Sequence, residues 1–138
     1  MPEPSKNPPN KHGVVALLKD AEGRMLFIRR GWKLARAPGV WCFVGGAVEE
    51  GETYTAAIER EVREEVGLTV RAMEKFHESI SPNGEFLLHW LRVENLDPGA
   101  PVRPHPVEVA EVRWVTLTEA LQLDPTLPTL RAWLQSQL

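Results

Sequence analysis

The chain has 138 residues and a single cysteine, with 43% hydrophobic and 25% charged residues and a net charge of −3. That length suits one domain with a real core, the composition is ordinary for a soluble globular protein, and no apolar run approaches membrane-spanning length. A lone Cys42 excludes an intrachain disulfide framework and predicts a reducing, cytoplasmic setting; the charge balance supports neither a nucleic-acid scaffold nor a membrane-surface protein.

Residues 1–10 contain four prolines and little that can pack, so they read as a flexible tail without the pattern of a signal peptide. Residues 11–138 read as one domain. Gly13 to Leu18 and Met25 to Arg29 form strands joined by a turn at Asp20-Ala-Glu-Gly23. Trp41 to Val44 is a short strand carrying Cys42, which reads as core. Thr53 is placed to cap a helix that starts at Tyr54, and Gly67 is placed to end it in the left-handed conformation. Leu68 to Phe76 and Glu85 to Val93 are strands around the turn sequence Ser81-Pro82-Asn83-Gly84. Asn95 to Pro106 is loop, and Glu111 to Val115 a strand. Thr116 with Glu119 makes a capping box, and Pro128 opens a last helix whose apolar face is Leu130, Trp133, Leu134 and Leu138. Mixed sheet with helices predicts α/β layers.

The helix between Thr53 and Gly67 is anomalous. With about 100° per residue and Tyr54 at the origin, Ile58, Val62 and Val66 fall at about 40°, 80° and 120° and Ala57 at about 300°, one apolar arc. Glu61 and Glu65 fall inside that arc at about 340° and 20°, and Glu64 on its edge at about 280°. Charge runs usually mark a solvated face, but Glu59 and Arg63 already supply one. Carboxylates three and four residues apart repel by a few tenths of a kcal/mol per pair, and burial raises the cost. A hard divalent cation reverses its sign. The charge is also uneven: Gly46 to Leu68 holds seven glutamates against two arginines, a net of −5, which leaves +2 for the remainder. Acid is thus concentrated where a cation would bind, and the rest tolerates an anionic ligand. Arg60, four residues before Glu64, can pair with it and hold its rotamer; an ordinary surface ion pair is the equal alternative.

The segment Gly46, Glu52, Arg60-Glu61-Val62, Glu64-Glu65, Gly67-Leu68, at this spacing, resembles the Nudix box, and Gly39 to Gly46 is similar to the strand and loop that precede it in that family. Val44 departs from the proline usual before the paired glycines. The resemblance implies an α/β/α Nudix sandwich with a mixed β-sheet, and hydrolysis of a nucleoside diphosphate linked to another group. It implies Mg²⁺ or Mn²⁺ held by Glu61, Glu64 and Glu65, with one more oxygen from the carbonyl of Gly45 or Gly46. A further acid from a distant loop is expected, Glu108 first and Glu111 second. The general base is Glu61 or Glu108. Glu52 is expected to pair with Arg60 and steady the loop. Arg29 and Arg30 are candidates for meeting phosphates, and Trp41 and Phe43 for holding a base. The partner is a small nucleotide or related diphosphate; a homodimer is implied by resemblance alone. His12, His77, His89 and His105 show no ligand spacing and receive no role. A nucleotide-binding module without turnover is the rival, disfavoured because every carboxylate of the box is present.

Overall fold

The computed structural model describes residues 9–138, so the expected tail lies almost wholly outside the described residues. The strands of the described residues build two sheets. β1 (Lys11–Leu18), β4 (Gly45–Ala47), β5 (Val70–Ile80) and β6 (Phe86–Asn95) form one in the order β4-β1-β6-β5. β3 (Trp41–Cys42), β2 (Met25–Arg30) and β7 (Val109–Val115) form the other in the order β3-β2-β7. The first is mixed, because β1 runs parallel to β6 while its other neighbour β4 is antiparallel. β2 pairs antiparallel with both of its neighbours.

The strand expected over Trp41 to Val44 is in fact two. Trp41 and Cys42 pair with β2, the chain then crosses over, and Gly45 to Ala47 pair with β1. Phe43 and Val44 fill the space between the sheets, both almost fully buried. A bulky residue at 45 is excluded there: a Cβ on Gly45 would lie 2.3 Å from the Val14 carbonyl oxygen.

α1 (Tyr54–Val66) packs against β1, β4 and β5 through Ala57, Ile58, Val62 and Val66, all 1% exposed or less. Burying each of these larger aliphatic side chains is worth roughly 1.5–3 kcal/mol. Its N-cap is as the sequence predicts: the Ala56 N–H donates to Thr53 Oγ1 at 3.1 Å. Gly67 ends it at φ +70°, a conformation that costs a side-chain-bearing residue about 1–2 kcal/mol. α2 (Leu117–Ala120) opens with the expected Thr116–Glu119 capping box, and α3 (Pro128–Ser136) has Pro at its first position. Leu130 and Leu134 are buried, but Leu138 lies beyond α3 and is 84% exposed, so it does not belong to the apolar face expected of it. Trp133 joins Phe43, Phe76 and Trp90 in an aromatic cluster with ring centroids 5.5–6.3 Å apart. No described helix is long and apolar enough to cross a membrane.

Candidate active site

The three inward glutamates of α1 differ in depth. Glu65 is 9% exposed, the side chain of Glu61 12%, and that of Glu64 54%. The wheel orders them correctly, since Glu64 sits on the edge of the apolar arc. Glu65 Oε2 is fully buried without a hydrogen-bond partner. Burial, together with the negative charges of Glu61 and Glu108, pushes the Glu65 carboxyl up to about 8. Burial raises Glu61 as well, against the pull of Arg60.

Arg60 is the hub of the neighbouring ion pairs. Its Nε donates to Glu52 Oε2 at 2.7 Å, its Nη1 to Glu61 Oε1 at 2.8 Å and to Glu64 Oε2 at 3.1 Å. Its Nη2 donates to Glu52 Oε1 and to the Ala47 carbonyl, both at 3.0 Å. The fork to Glu52 holds that carboxylate down at about 2. Arg60 thus joins the loop before α1, strand β4 and two of the inward glutamates, far more than one surface ion pair. Glu52 takes the expected place in this network, and its Oε1 also accepts from the Glu49 N–H at 3.0 Å.

Of the two candidates for a further acid, Glu108 lies in the loop before β7 and Glu111 within β7. Glu108 acts electrostatically on both Glu61 and Glu65, so the fold brings it to the same locus. Glu111 points elsewhere: its Oε2 accepts from Arg113 Nε at 2.7 Å, within its own strand. The loop is tied to the end of α1, where the Arg103 and His105 N–H groups donate to the Val66 and Glu65 carbonyls, both at 2.8 Å. Those carbonyls are orphans that any helix end must satisfy.

These residues suit a hard divalent cation in chemistry: carboxylate oxygens, one of them buried and unpartnered, beside a bare glycine backbone. Among the described residues, no three His, Cys, Asp or Glu side chains already converge to hold a metal ion. Mutual repulsion and the claim of Arg60 on Glu61 and Glu64 oppose that convergence in the cation-free chain.

A cavity of about 560 Å³ adjoins Glu65 and Gly46, walled by Phe43, Phe86, Leu88 and Leu130, with Arg30 and Arg36 on its lining. Of the four residues expected to meet substrate, Arg30 and Phe43 line it. Arg29 and Trp41 do not. Successive strand residues point to opposite faces, and Arg29 lies with its guanidinium 4.7 Å from the Trp32 ring and 5.6 Å from that of Trp41. Trp41 is 3% exposed, covered by Arg29 and Arg113. Cys42 also faces the cavity, but burial pushes its thiol up to about 12, which leaves it protonated and inert.

Two histidines given no role make specific contacts. His89, 3% exposed, bonds His12 Nδ1 through its Nε2 at 3.0 Å and accepts from Lys75 Nζ at its Nδ1. His105 Nδ1 accepts from the N–H groups of Val107 and Glu108 at 3.1 and 3.0 Å. The only signal for the latter in sequence is its position three residues before an acid, which says nothing until the loop is folded.

Comparison with known proteins identifies the family and the fold. The family model for the NUDIX domain matches residues 9–137. The NAD-capped RNA hydrolase NudC of Deinococcus radiodurans is 36% identical over 103 residues, which cover 75% of this chain but only 36% of that relative. The phosphatase NudJ of Escherichia coli is 29% identical over 113 residues, covering 80% of this chain and 72% of that one. Among solved structures, the MutT protein of Methanosarcina mazei superposes with a TM-score of 0.78 at 26% identity, covering 96% of this chain and 95% of the other. The ORF135 protein of E. coli does so with a TM-score of 0.75 at 27% identity, covering 96% and 91%. The chain is a member of the Nudix domain family, with the mixed α/β fold of its hydrolases.

Proposed function

We propose that this protein is a divalent-cation-dependent pyrophosphohydrolase that cleaves a phosphoric anhydride bond in a small nucleoside diphosphate linked to another group, by attack of water on phosphorus. The observation that carries this reading is the buried, unpartnered Glu65 oxygen, which feels the negative charges of Glu61, Glu108 and Glu64. A buried carboxylate oxygen without a partner, within the field of other carboxylates, is costly alone and suits a bound cation. The similarity to NudC, an NAD-capped RNA hydrolase, and to NudJ, a phosphatase, supports the reaction class.

Glu61, Glu64, Glu65 and Glu108, with a carbonyl of Gly45 or Gly46, are the groups that would hold Mg²⁺ or Mn²⁺. Bound there, such ions supply charge neutralisation for the diphosphate and acidify a water molecule. Arg60 orients Glu61 and Glu64 from behind and keeps their oxygens on one side of α1. Arg30, on the cavity lining, offers positive charge to phosphate oxygens, and Phe43 an aromatic wall to the attached group. Glu61 or Glu108 takes the proton of the attacking water. The single buried cysteine suits a reducing cytoplasm.

The test is a panel of nucleoside triphosphates, ADP-ribose, nucleotide sugars, dinucleoside polyphosphates and capped RNA, each with Mg²⁺ or Mn²⁺. Turnover of at least one is expected, abolished in Glu64→Gln and Glu65→Gln while the circular dichroism stays native. No turnover of any substrate transfers the weight to a binding module. Full activity in both variants overturns the site.

A further inference from the structure

Glu108 and Glu65 belong to different elements, and a single residue, His105, joins the backbone of one to the backbone of the other. The His105 N–H donates to the Glu65 carbonyl at 2.8 Å. Its ring Nδ1 accepts from the N–H groups of Val107 and Glu108 at 3.1 and 3.0 Å. Its own carbonyl accepts from the Val109 N–H at 3.2 Å, where β7 begins. A ring nitrogen that accepts two backbone donors carries no proton, so the proton of this imidazole is on Nε2.

The peptide of Glu108 is held from the other side as well. Its carbonyl accepts from the Gly31 N–H at 2.9 Å. The approach is close enough that a Cβ on Gly31 would lie 1.9 Å from the Val107 carbonyl oxygen. The main chain at Glu108 is therefore clamped between the end of β2 and the His105 ring. A carboxylate on an exposed loop is otherwise free to sample many positions, and Glu108 itself is exposed. The ring supplies what a short Asx side chain supplies in other turns: an acceptor two atoms from Cα that caps the N–H groups two and three residues on.

We propose that His105 is the positioning residue that fixes Glu108 opposite Glu65 in the divalent-cation site. This rests on the reading of Glu108 as a ligand. Removal of the ring acceptor frees two N–H groups and releases one side of the clamp on the Glu108 backbone while leaving every carboxylate in place. Groups that orient a metal ligand typically contribute about 10–100-fold in metal affinity or activity. Asn places Oδ1 where His places Nδ1 and restores the acceptor.

The experiment measures Mn²⁺ affinity by calorimetry or electron paramagnetic resonance, on full-length protein whose fold is checked by circular dichroism. His105→Ala is expected to weaken Mn²⁺ binding by roughly tenfold or more, and His105→Asn to recover most of the loss. In the Glu108→Gln background His105→Ala is expected to add nothing further, because its effect runs through Glu108. Wild-type affinity in His105→Ala overturns the proposal. So does a loss that Asn fails to rescue in a folded protein, or one that persists undiminished when Glu108 is already gone. If Glu108→Gln alone leaves Mn²⁺ affinity unchanged, the ligand role of Glu108 falls and this proposal with it. A loss in Glu65→Gln, measured alongside, then still upholds the site on α1.

Discussion

Glu61 lays its carboxylate over the bare Cα of Gly46. A Cβ built on Gly46 would fall 2.4 Å from Glu61 Cδ and 2.5 and 2.6 Å from its two oxygens. The strand glycine and the helix glutamate occupy one space, which explains why they belong to a single motif although fifteen positions apart. Gly46→Ala is therefore expected to displace Glu61. Overpacking of this kind costs about 1–3 kcal/mol, and misplacing a ligand is expected to lower Mg²⁺-dependent hydrolysis roughly tenfold or more. Activity assays beside urea unfolding check both; wild-type turnover in this variant removes Glu61 from the site.

Glu65 makes the stability of the metal-free protein depend on pH. Its carboxyl lies near 8 in the folded chain against an ordinary 4.5, so between those values the native state holds a proton that the unfolded state has released. Stability therefore falls as pH rises through that window, by up to about 1.4 kcal/mol per unit of pH. Glu65→Gln has no proton to lose. In EDTA-treated protein the variant is expected to gain on wild type by several degrees of Tm between pH 5 and pH 8, on the scale of about 2–8 °C per kcal/mol. A Tm difference that does not grow with pH would show that Glu65 is not buried as described.

Arg60 serves Glu52, Glu61, Glu64 and the Ala47 carbonyl with one planar fork. Lysine keeps the charge but cannot match that geometry. Arg60→Lys is expected to lose roughly 10-fold in Mg²⁺-dependent turnover and Arg60→Ala up to roughly 100-fold, the range for groups that orient metal ligands. The dependence of rate on Mg²⁺ concentration separates the two effects, since a disordered Glu61 and Glu64 raise the concentration needed. Equal activity of wild type and Arg60→Ala reduces the residue to a surface pair.

Cys42 is nearly fully buried, with its thiol pushed up to about 12. The native protein is expected to resist alkylation by iodoacetamide at pH 8 for hours, and to react within minutes once unfolded by guanidinium. Mass spectrometry reads the adduct. Rapid labelling of the native chain means that the wall of the cavity opens.

The local parts of this protein are legible in its sequence because they rest on neighbours in the chain. Thr53 and Gly67 bracket α1 through bonds that span a few residues, and the burial order Glu65, Glu61, Glu64 follows from helical angle alone. The parts that misread are those where two distant segments share one space. Trp41 to Val44 looks like a single strand, but pairing with β2 on one side and β1 on the other divides it between two sheets. Trp41 looks available to a base until Arg29 and Arg113 are seen to cover it.

The sequence by itself determined that seven glutamates gather around one helix and that three of them fall within or at the edge of its apolar arc, because spacing along a helix is a property of the covalent chain. Only the tertiary structure decided which of those oxygens lacks a partner, which loop brings Glu108 to it, and that His105 holds that loop. Burial and the meeting of remote backbones are set by packing, and no local pattern encodes them.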